Sequence, residues 1–157
     1  MKNLTLEYDR DFDAWIQQHI TLLKQGRVNE IDIEHLIEEL EDMGKSNRRE
    51  LVNRLIPLIA HLLKWEYQYN QLQDRWGSFT GGSWKGTITE QRTKITLLFK
   101  QNPSLNSKLQ DAVLEAYPNA LDIAVDETGL PKSTFPKSCS YTIEQLLDRK
   151  FYPTFKD

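Results

Sequence analysis

Arg92 stands out among the residues that could do chemistry, because of the company it keeps. Ile88 lies four residues before it and Ile95 three after. On a helix turning about 100° per residue, Arg92 therefore shares the apolar arc of Trp84, Ile88, Ile95, Leu98 and Phe99, with Gln91 beside it. A guanidinium turned toward a core needs acceptors, because an unpaired buried charge is very costly. Glu39 and Glu41 flank the apolar stripe of an acidic helix and are the natural partners; Glu38 points more nearly away from that stripe. The favoured role is an inter-helix ion pair that fixes packing. The chemical alternative is a polar pocket, a metal-assisted hydrolase or nuclease, in which Arg92 grips phosphate, Glu39 and Glu41 bind a cation and His61 moves a proton.

The other reactive side chains are poorly equipped. His61 lies opposite the centre of its helix's apolar face, and no carboxylate is evident to orient it as a base. His19 sits on an apolar stripe, as a core histidine with satisfied nitrogens does. His35 and Glu38 share a helical face, but a carboxylate di-iron bundle needs paired Glu-x-x-His motifs on other helices. No metal site and no cofactor are expected. Gly81-Gly-Ser-Trp-Lys-Gly86 lacks the Gly-Lys-Ser/Thr of a phosphate loop, and no strand precedes it. Cys139, the one cysteine, excludes an intramolecular disulfide and has no histidine nearby in sequence.

A second set of residues is aromatic. Trp65, Tyr67, Tyr69, Trp76, Phe79 and Trp84 alternate with Lys64, Arg75 and Lys85. Such segments can stack on bases, although in a small domain they more often tuck onto the core. Exposed, the run Trp65, Tyr67, Tyr69, Trp76 and Phe79 would be the surface for a protein partner.

The elements that must position these residues are helical throughout. Phe12, Trp15, Ile16, His19, Ile20 and Leu23 mark one amphipathic helix, capped by Asp11 or Asp9 and closed by Gly26. Ile33, Leu36, Ile37, Leu40 and Met43 mark a second, with Asp32 as cap and Gly44 as terminus. Glu41 and Asp42 would then sit against the negative end of a helix dipole and call for cationic neighbours. Ser46 caps a third, central helix whose apolar face from Leu51 to Leu63 spans about 160°, with a kink from Pro57 near Asn53. Ser83 caps a fourth, and a fifth runs from Ser104 through Pro118 to Gly129. Thr142 and Gln145 form a capping-box pattern before a short last helix. No segment alternates with period 2. The fold class is all-α: a compact bundle of about five main helices plus a short C-terminal one. It forms a single domain over 1–157, with an aromatic, Gly-rich loop at about 66–82 and an extended tail at about 130–157.

The net charge of −3 hides a split. Residues 1–44 carry 4 basic and 11 acidic side chains, residues 45–100 carry 10 and 4, and residues 101–157 carry 6 and 8. Acidic and basic helices packing around Arg92 is the favoured reading; an anionic partner on the basic middle is the other. The N-terminal residues lack an apolar signal region, and Leu55–Leu63, broken by Pro57 and His61, is too short to span a bilayer. A cytoplasmic protein with no membrane partner is expected.

Several blocks resemble the bacterial domain-of-unknown-function family number 29. They are Ile31-Asp-Ile-Glu-His-Leu-Ile-Glu-Glu-Leu-Glu-Asp-Met-Gly44, His61-Leu-Leu-Lys-Trp65, Ser83-Trp84 followed by Thr89-Glu-Gln-Arg92, Glu127-Thr-Gly-Leu-Pro131, Phe135-Pro136 and Tyr141-Thr-Ile-Glu-Gln-Leu-Leu-Asp148. The resemblance runs from about Tyr8 to Pro153. It implies a compact helical bundle and supplies no activity. Among its matching residues are Glu38, Glu39, His61, Trp84 and Arg92, which with Gln91 make up the polar constellation. One departure is Gln71–Gly82, where the family's connection is shorter, richer in Arg and poorer in Gly. That counts against a nucleic-acid role for this loop. The function read from the sequence is a helical module acting through protein contacts without catalysis. The alternatives are the hydrolase pocket and nucleic-acid binding by the basic middle.

Overall fold

The computed structural model describes residues 4–75, 77 and 81–154, and the side chains of 7–69, 72, 77 and 81–154. The protein is all-α, with no strand among the described residues. In chain order the helices are α1 (Leu4–Arg10), α2 (Phe12–Lys24), α3 (Ile33–Arg75), α4 (Gly82–Gln101), α5 (Leu109–Thr128) and α6 (Ile143–Leu147). Short 3-10 turns occupy Val28–Glu30, Pro103–Lys108 and Lys132–Thr134. Two units are distinguished, Met1–Ser46 and Asn47–Asp157.

Many helix ends obey the sequence. Asp11 accepts from the Ala14 amide at the start of α2, and Gly26 and Gly129 adopt left-handed φ values of 68° and 71° after α2 and α5. The Thr142 hydroxyl accepts from the Gln145 amide at 3.1 Å, while the Gln145 side chain accepts from the Thr142 amide at 2.9 Å. Three ends differ. Gly44 does not end a helix and Ser46 does not cap one: α3 is continuous from Ile33 to Arg75. A glycine inside a helix costs only about 1 kcal/mol, which flanking good helix formers offset. Glu41 and Asp42 therefore lie mid-helix, far from any dipole end, and the case for cationic neighbours disappears. The helix also continues past Trp65 to Arg75, shortening the expected loop. At α4 the capping residue is Gly81 rather than Ser83, with φ of 70°. A Cβ at Gly81 would stand 2.6 Å from Tyr69 Cε2 and 2.7 Å from Trp65 Cζ3, so only glycine fits beneath those rings.

The larger unit has a full core. Leu51, Leu55, Leu58, Ile59, Leu62 and Leu63 of α3 are completely buried with Ile88 and Ile95 of α4 and Leu146 of α6. From α5 the stripe Leu109, Ala112, Ala116, Ala120 and Ala124 joins them, its small side chains recurring at three- to four-residue spacing.

The smaller unit is built differently. Trp15, His19 and Leu22 of α2 are its buried residues among those described. A unit of fewer than 50 residues has little interior to offer, and its order comes from a polar and aromatic frame around Asp32. The Asp32 amide donates to His19 Nε2 (2.9 Å), and its carboxylate accepts from Trp15 Nε1 (3.3 Å) and His35 Nδ1 (2.6 Å). The Tyr8 ring stacks on His35 at 3.9 Å, and its hydroxyl donates to Glu39 at 2.5 Å.

Candidate functional site

Arg92 is buried, as its spacing requires, with 1% of its surface exposed. Its partners are not carboxylates. Nε donates to the Leu146 carbonyl (2.8 Å), one terminal nitrogen to Phe151 (2.9 Å) and the other to Gln145 (3.0 Å), while the guanidinium lies 5.7 Å from the centre of the Tyr152 ring. The carbonyls of Gln145 and Leu146 belong to the last turn of α6, where intrahelical donors run out. Arg92 thus caps α6 from another helix and ties the tail to α4. Burial pulls its pKa down, countered by Tyr152 and Asp148. Glu39 and Glu41, expected to pair with Arg92, do other things: Glu39 accepts from Tyr8, and Glu41 is exposed, as is Glu38.

The rest of the constellation is scattered in role. His61 is half-buried, with Nδ1 donating to the Pro57 carbonyl at 2.8 Å; burial lowers its pKa, with Lys64 lowering it further and Pro57 and Glu127 opposing. The Trp84 ring lies under the Lys64 ammonium at 4.7 Å, and Lys64 donates to Glu127 at 2.6 Å. Gln91 is buried, its side-chain oxygen without a hydrogen-bond partner among the described residues. His19 is a core histidine: Nδ1 donates to the Trp15 carbonyl at 2.9 Å and Nε2 accepts from Asp32. Among the described residues, no group of three or more His, Cys, Asp or Glu side chains could hold a metal ion.

The aromatic segment is not a surface where it is described. Trp65 and Tyr69 are buried, stacked on each other at 4.3 Å, and Tyr67 meets Phe135 edge-on at 5.1 Å. Trp76 and Phe79 lie outside the described residues. The basic middle is also largely occupied. Arg48 pairs with Glu115, Arg54 with Glu50, Lys64 with Glu127 and Lys94 with Glu90. Lys85 lies over the Trp65 and Tyr152 rings, and Arg92 is sealed, so six of its ten cations are engaged within the unit. The expected carboxylate partners of Arg92 are replaced by backbone carbonyls, and of the acids in α3's first turns Glu34, Glu38, Glu41 and Asp42 are exposed while Glu39 is half-buried.

The open feature of the molecule lies in the smaller unit. Ile33, Ile37, Leu40 and Met43, expected as a core stripe, are exposed by 59%, 50%, 57% and 65%. Phe12, Ile20 and Leu23 of α2 are likewise exposed. Between them runs a groove of ≈ 240 Å³ lined by Phe12, Trp15, Ile16, His19, Ile20 and Leu23 of α2 and by Leu36, Glu39, Leu40 and Met43 of α3. By contrast, exposed large apolar side chains in the described larger unit are single: Leu97 on α4 and Leu114 on α5. That unit also has a broader cleft of ≈ 630 Å³, floored by Tyr117, Leu121 and Phe135 with Lys132 and Lys137 at its edge. The Tyr117 hydroxyl is turned to the Pro136 carbonyl at 2.5 Å, and burial pushes its pKa up to about 12.

The family model described as "Domain of unknown function DUF29" matches residues 7–152. The chain belongs to the DUF29 family. The match takes in every helix from α2 to α6, and with them the Asp32 frame, the groove and the Arg92 clamp. No curated protein and no solved structure matches the chain. No helix among the described residues is long and apolar enough to cross a membrane.

Proposed function

We propose that this chain is a non-catalytic helical module that docks a protein partner in the groove between α2 and the first turns of α3. The observation that carries this reading is that five exposed large apolar side chains, Phe12, Ile20, Leu23, Leu40 and Met43, line one groove, with Ile33 and Ile37 also exposed on α3. Exposed apolar residues scattered singly are ordinary; a contiguous set around a concave surface marks an interaction site. The groove has rigid walls, because Asp32 joins Trp15 and His19 of α2 to His35 of α3. The polar residues suited to a hydrolase have structural work instead: Arg92 caps α6, Glu39 holds Tyr8 and His61 holds the Pro57 carbonyl.

The test is site-specific photo-cross-linking in cells that naturally make the protein. A benzophenone side chain at position 40 should give a discrete protein adduct that Met43→Gln removes. The same side chain at position 114, an isolated exposed leucine, should not. Equal labelling at the two positions, or adducts indifferent to Met43→Gln, would overturn the reading.

A further inference from the structure

We infer that the occupant of this groove is a basic amphipathic helix from a different protein chain. The inference rests on the docking role proposed above and adds the chemistry of the partner. A furrow between two helices has the shape that a third helix fills, laying its apolar stripe against both walls. Here α2 contributes Phe12, Ile20 and Leu23, and α3 contributes Leu40 and Met43. The eleven residues from Ile33 to Met43 rise roughly 16 Å, enough for about three turns of a partner helix.

Charge selects the partner. Projected at about 100° per residue, Asp13 borders the apolar arc of α2 next to Ile20, and Glu34 and Glu41 border that of α3 next to Ile37. All three carboxylates are exposed, with Lys24 the opposing cation at the edge of α2. Residues 1–44 carry 11 acidic against 4 basic side chains, so the surroundings reinforce the rim. An apolar stripe flanked by Lys and Arg complements this surface, whereas one flanked by Asp and Glu meets like charge.

The same observations argue against a second copy. Face-to-face pairing would set each acidic rim against its twin. Nor do the other helices offer a substitute, since α4 and α5 each expose a single large apolar side chain among the described residues, not a stripe.

Two fluorescent 18-residue peptides test the inference against the full chain by anisotropy. Both carry leucine at helical spacing; one fills the other positions with lysine, the other with glutamate. The lysine peptide should bind at least about tenfold more tightly in about 50 mM salt, the gap narrowing near 0.5 M as charges are screened. The double substitution Leu40→Gln, Met43→Gln should weaken it about tenfold, in keeping with a loss of apolar contact, at unchanged melting temperature. Asp13→Lys with Glu41→Lys should turn the preference toward the glutamate peptide. Equal binding of the two peptides would overturn the basic partner while leaving docking intact. So would a dimer, seen by light scattering, that the Gln substitutions dissolve, because the occupant would then be a second copy. If neither peptide binds and the chain stays monomeric, the docking reading falls as well.

Discussion

Replacing Arg92 by Met keeps an unbranched apolar stem as far as about Nε and removes the guanidinium with its five donors. Three carbonyl oxygens, those of Gln145, Leu146 and Phe151, then lose the partners that now stand 2.8–3.0 Å away. Stranding a buried acceptor costs about 1–3 kcal/mol. Part of that is returned, because a guanidinium no longer has to be held out of water. A net loss of about 3 kcal/mol follows for Arg92→Met. At roughly 2–8 °C per kcal/mol for domains of this size, the melting temperature should fall by about 10 °C. Arg92→Lys retains the charge but offers its donors from a single nitrogen, which cannot span three separated carbonyls, so an intermediate loss of about 1–2 kcal/mol is expected. Helical circular dichroism gives the melting temperature. Hydrogen exchange should show α6 and residues 148–152 losing protection first. A melting temperature for Arg92→Met within about 2 °C of the original, with α6 still protected, would refute the capping role.

The Asp32 frame predicts a pH window for the smaller unit. Burial pushes the Asp32 carboxyl up, but hydrogen bonds from His35 and Trp15 outweigh it and hold the pKa below the ordinary value; the Asp32 bond raises that of His35. The Asp32 contribution is present above the unfolded carboxyl value of about 4 and is lost as pH falls through the lower folded one. The His35 contribution is present below the unfolded imidazole value of about 6.5 and is lost as pH rises through the higher folded one. Amide exchange in α2 and early α3, corrected for intrinsic rates, should therefore be slowest between about pH 4 and 6.5; His35→Gln should abolish the alkaline limb and shrink the acid one, because the His35 bond also helps hold the Asp32 carboxyl down. Gly81→Ala, with its new methyl against Trp65 and Tyr69 and φ at 70°, should cost about 2–3 kcal/mol in urea unfolding; an unchanged midpoint would contradict the close approach.

Periodicity and caps made the helices legible, because both depend on residues a few positions apart. The burial of Arg92 and the role of His19 were legible for the same reason, since each sits within an apolar stripe. The acceptors of Arg92 were not, because they are backbone carbonyls. Every residue carries one, so Gln145 and Leu146 give no sign of being left over at a helix end. Carboxylates drew the expectation toward Glu39 and Glu41, which advertise their charge. Gly44 misled in the opposite sense: a glycine after an apolar stripe reads as a stop, yet in α3 nothing presses on it, and the helix passes through. The groove shows a deeper limit. Ile33, Ile37, Leu40 and Met43 announce an apolar face, but periodicity carries no record of whether this chain supplies the cover. Its position before the stripe marks Asp32 as a cap, while its bonds to Trp15 and His19 depend on how α2 returns to it.

The distance along the chain between Arg92 and its acceptors, 53 to 59 residues, also orders events during synthesis. When α3, α4 and α5 have left the ribosome, the apolar stripes that form the larger core are already present. The guanidinium is still without the carbonyls that make its burial tolerable, and it must stay in water. At about 5–20 residues per second, the wait from the end of α5 to residue 151 lasts about 1–5 s. Until then Ile88 and Ile95, which share the helix face with Arg92, cannot be fully shut in. The core of the larger unit thus closes only once α6 and Phe151 are in place to receive the guanidinium.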